Sequence, residues 1–475
     1  VAHPRDPLTV VVLAAGLGKR MRSKKIKLLH DVAGRPMVAR VTEIVRALRP
    51  RYLRVVVGHQ ADLVKGALDG LCDDFVLQKE QRGTGHAVLQ AMPGLKFSAR
   101  AQLLIVNGDL PTLRGSTLRG LLGRHKRSGA AMTLLTARLD NPSGYGRIVR
   151  DPSRGVVRIV EDRDASPEER KIYEVNCGIY CADPVRLLRV LERLRPNNVQ
   201  GEFYLTDAVH ELVAAGEKVV ALCHGDADEV LGVNDREELA RASRTLFARK
   251  AEALQASGVT ILDTDRVWID PAAKVGRDSV FYPDVIVEGA CTIGQDCIIR
   301  PGCRIVDSRI GSRVEIKDHS VVLESVVADG AQVGPFAHLR PGSRLDADVK
   351  VGNFVEVKKT RLRAGVKAPH LSYLGDADVG EHSNIGAGTI TCNYDGEKKH
   401  RTVLGKGVFV GSDTQLVAPV NVGKNAYIGA GSTVTQDVPD GALAVSRARQ
   451  KNIEGWVEER QNRKNRGSAR SRKKR

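Results

Sequence analysis

From position 275 onward an aliphatic or aromatic residue returns every six positions, and few folds accept so short a period. Val275, Phe281, Val287, Ile293, Ile299 and Ile305 form a first block, often followed by Gly or a charged residue. The register slips, then resumes at Val327, Val333, Leu339, Leu345, Val351 and Val357, and again at Leu404, Val410, Leu416, Val422, Ile428 and Val434. Four residues after these anchors stand small or β-branched residues, including Ser279, Val285, Ala337, Ser343, Thr414, Ala426 and Ser432, so two side chains per repeat point inward. Cys291, Cys297 and Cys303 hold that second place in three successive repeats, which reads as stacked core thiols rather than metal or redox chemistry. A six-residue unit cannot bury its own apolar face, so successive turns must stack into a parallel β-helix.

The first half has a different rhythm. Short apolar runs at 10–13, 53–57 and 103–106 alternate with amphipathic stretches such as 38–48. This predicts an α/β unit with a mostly parallel sheet, helices on both faces, and ligands bound beyond the carboxyl ends of the strands. At 475 residues two or three domains are expected. Asn234, read as an N-cap with Glu237 at the third helical position, opens a connecting helix that runs toward Gly258. The expected units are 1–232, a helical linker at 233–257, the β-helix at 258–446 and a basic tail at 447–475.

No apolar run approaches a bilayer span and the first residues lack a signal-peptide core, so a cytoplasmic protein without a membrane partner is expected. Eight cysteines with no C-x-x-C pair argue for free thiols over a disulfide framework or structural zinc. The formal charge is +18, but the tail holds 12 Lys/Arg against 3 Glu. A run such as RKNRGSARSRKKR, without interleaved aromatics, reads as a solvated, disordered tail rather than a nucleic-acid surface.

The segment LAAGLGKRM at 13–21 follows an apolar strand; Gly16 and Gly18 let backbone approach a phosphate, while Lys19 and Arg20 add charge. Glycines serving loop geometry alone are the alternative. Lys27, a few residues on, is placed to neutralise a pyrophosphate leaving group. Asp109 closes LLIVNGD just before Pro111, where a buried strand stops; it reads as a ligand for a divalent cation bridging phosphates, against a plain turn-forming Asp.

These motifs, with QKEQRGTGHA at 78–87, GYGRI at 144–148, IVED at 159–162, EVNCGIY at 174–180 and GVN at 232–234, resemble the bifunctional N-acetylglucosamine-1-phosphate uridyltransferase/glucosamine-1-phosphate N-acetyltransferases over nearly the whole chain. The resemblance implies a Rossmann-like nucleotidyltransferase with a doubly wound mixed sheet, then a left-handed hexapeptide-repeat β-helix that assembles as a homotrimer. By resemblance, Leu13, Ala14, Ala15, Gly16, Lys27, Gln78, Gly83, Thr84, Asn107, Gly108 and Asp109 hold the uridine nucleotide. Gly146, Glu161 and Asn176 hold the N-acetylglucosamine, and Asp109 with Asn234 ligates Mg²⁺. Asn107 departs from relatives that carry an aromatic residue there.

Between the second and third repeat blocks the register is disturbed and polar residues gather: Lys358, Lys359, His370, Tyr373, Asn384, Asn393, Tyr394 and Asp395. APHLSYLGD and SNIGAGTITCNYDG resemble the acetyltransferase motifs of the same family. Attack of an amine on a thioester needs a base, and neutral imidazole titrates near working pH, so His370 is the candidate base, with Glu356 expected to orient its ring. The resemblance gives Arg340, Lys358, Tyr373 and Asn384 to the sugar phosphate, and Ala387, Asn393, Tyr394, Ser412, Ala430 and Arg447 to acetyl-CoA. The implied function is acetylation of glucosamine-1-phosphate followed by coupling to UTP. The rival is a one-activity sugar-1-phosphate nucleotidyltransferase with a structural or regulatory β-helix, against which His370, Lys358 and the Asn393-Tyr394 pair argue.

Overall fold

The computed structural model describes residues 7–472 except Leu17, Ala99, Ser153 and Arg154, and excludes the side chains of Lys19 and of 465–472. The expectations for residues 1–6, Leu17, the Lys19 side chain and the end of the tail fall outside that description. The chain forms two compact units, Val1–Ala253 and Leu254–Arg475.

The first unit is built on β1 (Leu8–Ala14), β2 (Tyr52–Val57), β3 (Asp74–Leu77), β4 (Gln102–Asn107), β5 (Met132–Arg138), β6 (Arg147–Asp151), β7 (Gly155–Val160), β8 (Glu174–Ala182) and β9 (Val219–His224). The main sheet runs β9-β5-β8-β4-β1-β2-β3, with the β6/β7 hairpin attached to β8. β1 is parallel to β2 and β4, whereas β8 runs antiparallel to both β4 and β5, which makes the sheet mixed.

Strand side chains alternate between two cores. Val10, Val12, Val55, Leu104 and Val106 pack in one, with Val38, Val41 and Val45 of the helix Met37–Arg46. Val11, Val56, Leu103 and Ile105 pack in the other, with Ala87, Val88 and Ala91 of the helix Thr84–Ala91. Each fully buried Val or Leu stabilises the unit by about 1.5–3 kcal/mol, and a buried polar side chain inside a strand is kept by its own partners, as Arg54 is by Ala91 O, Pro93 O and Asp74. The chain leaves β1 toward β2 and β3, then returns to add β4 on the other side. That reversal opens a crevice beyond the carboxyl ends of β1 and β4.

The second unit is a parallel β-helix with three faces of 11, 10 and 9 strands. Each coil lies in register on the next, as in Phe281↔Ile299, Val287↔Ile305 and Ile293↔Ile310. Of the eighteen anchors read from the sequence, all but Val275 in the first coils are buried. The second inward positions are buried too, Cys291, Cys297 and Cys303 included. Hydroxyls are accepted there because the next coil offers a carbonyl: Ser279 Oγ donates to Gly294 O at 2.9 Å and Ser343 Oγ to Val357 O at 2.9 Å.

The slips in register have a local cause. Nearly every corner turns through one left-handed residue, commonly Gly or an Asp such as Asp278, Asp284 or Asp348. At Asp307, Glu324, Lys359 and Asp376 that residue comes one position early, and the following anchor comes after five residues instead of six. The stretch expected to be disturbed is therefore continuous, with Leu362, Ala368, Leu374, Val379 and Ile385 all inward. The interruption is an inserted loop between the strands Ile390–Cys392 and Thr402–Leu404, closed by the bridge Tyr394↔Lys399.

The tail differs from the irregular segment expected: Trp456–Arg472 is helical and its described side chains are exposed. An i,i+4 pair, Arg463 with Glu459, and the Arg460 guanidinium over the Trp456 ring at 5.1 Å support it locally. Among the described residues, no helix is long and apolar enough to cross a membrane.

Candidate functional site

Two adjoining cavities occupy the crevice, a larger lobe of about 530 Å³ and a smaller one of about 190 Å³. Leu13, Thr84, Asn107 and Asp109 line both and form the partition. Ala15, Gly16, Lys27, Gln78 and Gly83 face the larger lobe; Arg20, Gly146, Glu161, Asn176 and Asn234 face the smaller. Two predicted binding residues do not reach either. Ala14 ends β1 with its side chain in the core, because alternation along the strand turns it away from the crevice. Gly108 packs beneath the site, donating its N–H to Leu13 O at 2.9 Å where an added Cβ would lie 3.1 Å from that oxygen.

At the partition, Lys27 Nζ donates to Asp109 Oδ2 at 2.6 Å and to Asn234 Oδ1 at 2.8 Å. Both ion-pair side chains are more than four-fifths buried. Gly18, at φ +61°, admits Lys27, since a Cβ there would lie 2.3 Å from the lysine Cβ. Asn234 does not cap the connecting helix as expected. Asp235 does, accepting the Glu238 N–H at 2.9 Å, while Glu238 reaches back to the Asn234 N–H at 2.5 Å. The Asn234 side chain is thereby left to the cleft. Two oxygen donors, one charged, thus already seat a cation, the lysine ammonium. Among the described residues no cluster of three or more His, Cys, Asp or Glu is arranged for a metal. So sparse an all-oxygen donor set suits Mg²⁺, which keeps water and phosphate oxygens in its shell.

The smaller lobe is lined mostly by polar groups. Thr206 Oγ1 donates to Glu161 Oε1 at 3.0 Å, and burial pushes the Glu161 carboxyl above the ordinary range. A bulge in β8 at Gly178, φ +70°, turns Asn176 inward, where its Nδ2 donates to the Tyr180 hydroxyl at 2.6 Å. Asn107 lies so close to Gly178 that a Cβ there would come within 2.2 Å of the Asn107 amide nitrogen. Burial pushes the Tyr145 phenol up to about 12 and raises that of Tyr180 as well. Tyr145, Tyr180 and Thr206 were not singled out from the sequence. The two tyrosines lie inside motifs that carried the resemblance, whereas Thr206 has no sequence signal.

On the β-helix, His370 ends the strand Lys367–His370 and is exposed at a corner. Its Nδ1 is 3.0 Å from Oδ1 of Asn353, one coil below. Glu356 does not orient it. Glu356 lies on the next face, paired in register with Tyr373, and its Oε1 accepts from Arg340 at 2.7 Å. Above His370 the same corner carries Ala387, Ser412, Ala430 and Arg447 in successive coils. Their order is fixed by Gly388 N–H to Leu371 O, Asp413 N–H to Ala387 O, Gly431 N–H to Ser412 O and Arg447 to Ala430 O. With about 4.8 Å between strands, this column leads up from the imidazole.

Arg340, Lys358 and Tyr373 share the face beside His370, and the inserted loop adds Lys399, which the sequence reading missed. The Lys358 ammonium beside it lowers the Lys399 pKa, the signature of crowded cations. Asn393 Nδ2 donates to Asp376 Oδ2 at 2.5 Å. Asn384 opens the strand Asn384–Ile385, paired to Lys367 and Phe409, and Asn393 with the exposed Tyr394 lies past the far end of the neighbouring face. Within one chain Asn384 and Tyr394 do not join the His370 column, whereas Asn393 also donates to the Tyr373 hydroxyl at 3.4 Å.

Comparison with known proteins accords with this geometry. Residues 10–161 match the MobA-like NTP transferase domain, 264–359 the GMPPB C-terminal domain, and 401–436 the bacterial transferase hexapeptide (six repeats). The chain is 49% identical to the bifunctional protein GlmU of Pelobacter propionicus, covering 95% of this chain and 98% of that one. It is 50% identical to the bifunctional protein GlmU of Trichlorobacter lovleyi, covering 94% and 97%. A crystal structure of UDP-glucose pyrophosphorylase complexed with UDP-glucose aligns with 51% of this chain and 99% of its own, at 16% identity and a TM-score of 0.41.

Proposed function

The chain belongs to the family of bifunctional GlmU proteins, and from that premise we propose how its two sites make UDP-N-acetylglucosamine. The β-helix acetylates glucosamine-1-phosphate from acetyl-CoA, and the N-terminal unit couples the product to UTP with release of pyrophosphate. The observation that carries the reading is the seat at the cleft partition, where Asp109 and Asn234 share one cation between two lobes.

The larger lobe takes the uridine nucleotide on Leu13, Ala15, Gly16, Gln78, Gly83 and Thr84. The smaller takes the N-acetylglucosamine on Gly146, Glu161 and Asn176, with Asn107 between them. Asp109 and Asn234 would hold Mg²⁺, whose chemistry there is to neutralise phosphate oxygens. Arg20 and Lys27 meet the charge that develops on pyrophosphate as the sugar phosphate oxygen attacks the α-phosphorus. No covalent intermediate is needed, so positioning does the catalysis.

In the second site, Asn353 fixes one nitrogen of His370 and leaves Nε2 to take the amine proton as the amine attacks the thioester carbonyl. Arg340, Lys358 and Lys399 pair with the sugar phosphate dianion beside Tyr373. Acetyl-CoA lies along Ala387, Ser412 and Ala430 toward Arg447, with the Ser412 hydroxyl near the departing sulfur. Asn384 and Tyr394 serve the site of a neighbouring copy, while Asn393 braces Tyr373 in its own chain, so acetyl transfer requires the homotrimer. The enzyme works in the cytoplasm, supplying precursor for peptidoglycan and lipopolysaccharide.

The test incubates the protein with glucosamine-1-phosphate, acetyl-CoA, UTP and Mg²⁺, omitting each in turn; product is expected only with all four. Asp109→Ala should abolish uridylyl transfer and spare acetyl transfer. His370→Ala should cost about 10² to 10⁴ in acetylation and spare the uridylyl step. Equal loss of both activities in either variant overturns the two-site reading.

A further inference from the structure

Gln78 sits in the wall of the larger lobe at 3% exposure, and both hydrogens of its amide are already used. Nε2 is 3.1 Å from Gly83 O and 3.0 Å from Nδ1 of His86. A carbonyl oxygen only accepts, so the nitrogen end of the amide must face Gly83. Gly83 cannot turn away, being at φ +102° with its Cα packed against the Phe203 backbone, whose carbonyl an added Cβ would approach to 2.5 Å. Nδ1 of His86 must then be a lone pair, with the ring proton on Nε2. Gln90, exposed and 3.4 Å from Nε2, is free to turn its amide oxygen toward that proton. Gln78 therefore presents the lobe with Oε1 alone, an acceptor without a donor.

We propose that His86 is a specificity-determining positioning residue: through Nδ1 it locks the Gln78 amide so that the lobe selects a pyrimidine carrying hydrogen at N3. Uracil has that hydrogen; cytosine has a lone pair there and would set acceptor against acceptor. The inference rests on the reading of Gln78 as a base contact. A buried acceptor rejects a base that leaves it unpaired far more strongly than an apolar wall rejects an added group.

The same lock depends on pH. The charges facing His86 are Glu80 and Arg82 of the preceding loop; the Phe203 ring lies 6.3 Å away, and its own helix offers only neutral Gln90. Burial and Arg82 hold its pKa below the ordinary histidine value, so the Nδ1 lone pair persists at neutral pH. In mild acid the imidazolium donates from both nitrogens, repels the Gln78 amide hydrogens and releases the lock.

The test measures kcat/KM for UTP and for CTP at neutral and mildly acidic pH, with acetyl transfer by the same preparations as the control for folding. His86→Phe keeps the ring and loses the acceptor; the preference for UTP should fall about tenfold, chiefly through KM. His86→Asn puts Oδ1 where Nδ1 was and cannot titrate. It should keep the preference within about twofold and abolish its decline in acid. An unchanged preference in His86→Phe overturns the proposal. Should that variant fail the acetylation control, identical acid profiles for wild type and His86→Asn overturn it instead. Gln78→Ala separates the two levels: an unaltered KM for UTP removes the base contact itself, whereas a raised KM beside an unchanged His86→Phe removes only the role of His86.

Discussion

The contact that holds His370 yields a prediction that divides two residues the sequence does not separate. Asn353 accepts at 3.0 Å from the ring nitrogen facing it, in register one coil below, and touches no group assigned to substrate. Asn353→Ala removes one exposed hydrogen bond, so the fold should lose little. What it frees is the ring, in rotamer and in tautomer. A net hydrogen bond is worth about 0.5–1.5 kcal/mol, and that loss falls on the fraction of imidazole oriented as a base. Acetyl transfer should therefore drop about three- to tenfold in kcat, with KM for glucosamine-1-phosphate nearly unchanged. Glu356→Ala acts differently, because Glu356 is bonded to Arg340 and its loss frees a guanidinium of the phosphate-binding set. Its effect should appear in KM. Steady-state acetylation read by release of free CoA thiol distinguishes the two. Wild-type kcat in Asn353→Ala, together with a collapse of kcat in Glu356→Ala, would refute the assignment.

Three further outcomes follow from the geometry. Gly178→Ala puts a Cβ at φ +70° and 2.2 Å from the Asn107 amide, so it should cost about 1–2 kcal/mol in denaturant unfolding and raise KM for the sugar phosphate in uridylyl transfer. The Glu161 carboxyl has a raised pKa in the fold, so its contribution to stability is full below the unfolded-state pKa and is lost as pH rises through the folded value. Glu161→Gln should thus raise the unfolding midpoint at neutral pH, on the order of 2 °C by calorimetry, with the gain vanishing in acid while sugar binding weakens. Cys297→Ser should cost under about 1 kcal/mol, because Gly311 O, 3.1 Å from Sγ, accepts the hydroxyl as Gly294 O accepts that of Ser279; Cys297→Leu should overpack the coil by about 1–3 kcal/mol.

Much of this architecture was legible because burial of a single apolar side chain is a local property. The six-residue period picked out inward residues from Phe281 to Val434, and the stacked cysteines, without any knowledge of what lies beside them. The strand ends at Ala14 and Asn107, just before Asp109, were legible for the same reason: where the apolar run stops, polar groups can emerge. The Gln78, Glu161 and Asn176 assignments came from resemblance, and the cavities bring those side chains to one crevice.

Other features were decided only by the folded chain. Coils of 17 and 18 residues follow one another without a fixed order, according to which corners turn early, so the partner of His370 could not be counted along the chain. The early turn at Lys359 puts Asn353 beneath His370, while the ordinary corner at Phe354 carries Glu356 onto another face. Likewise the helix cap moves one residue, to Asp235, and that shift gives the Asn234 side chain to Lys27 and the cleft. Sequence by itself determined which residues are buried and where strands stop, since both depend on each residue's own polarity. Which polar groups meet depends on backbone turns whose φ values the tertiary packing selects, and there the chemistry of both sites was decided.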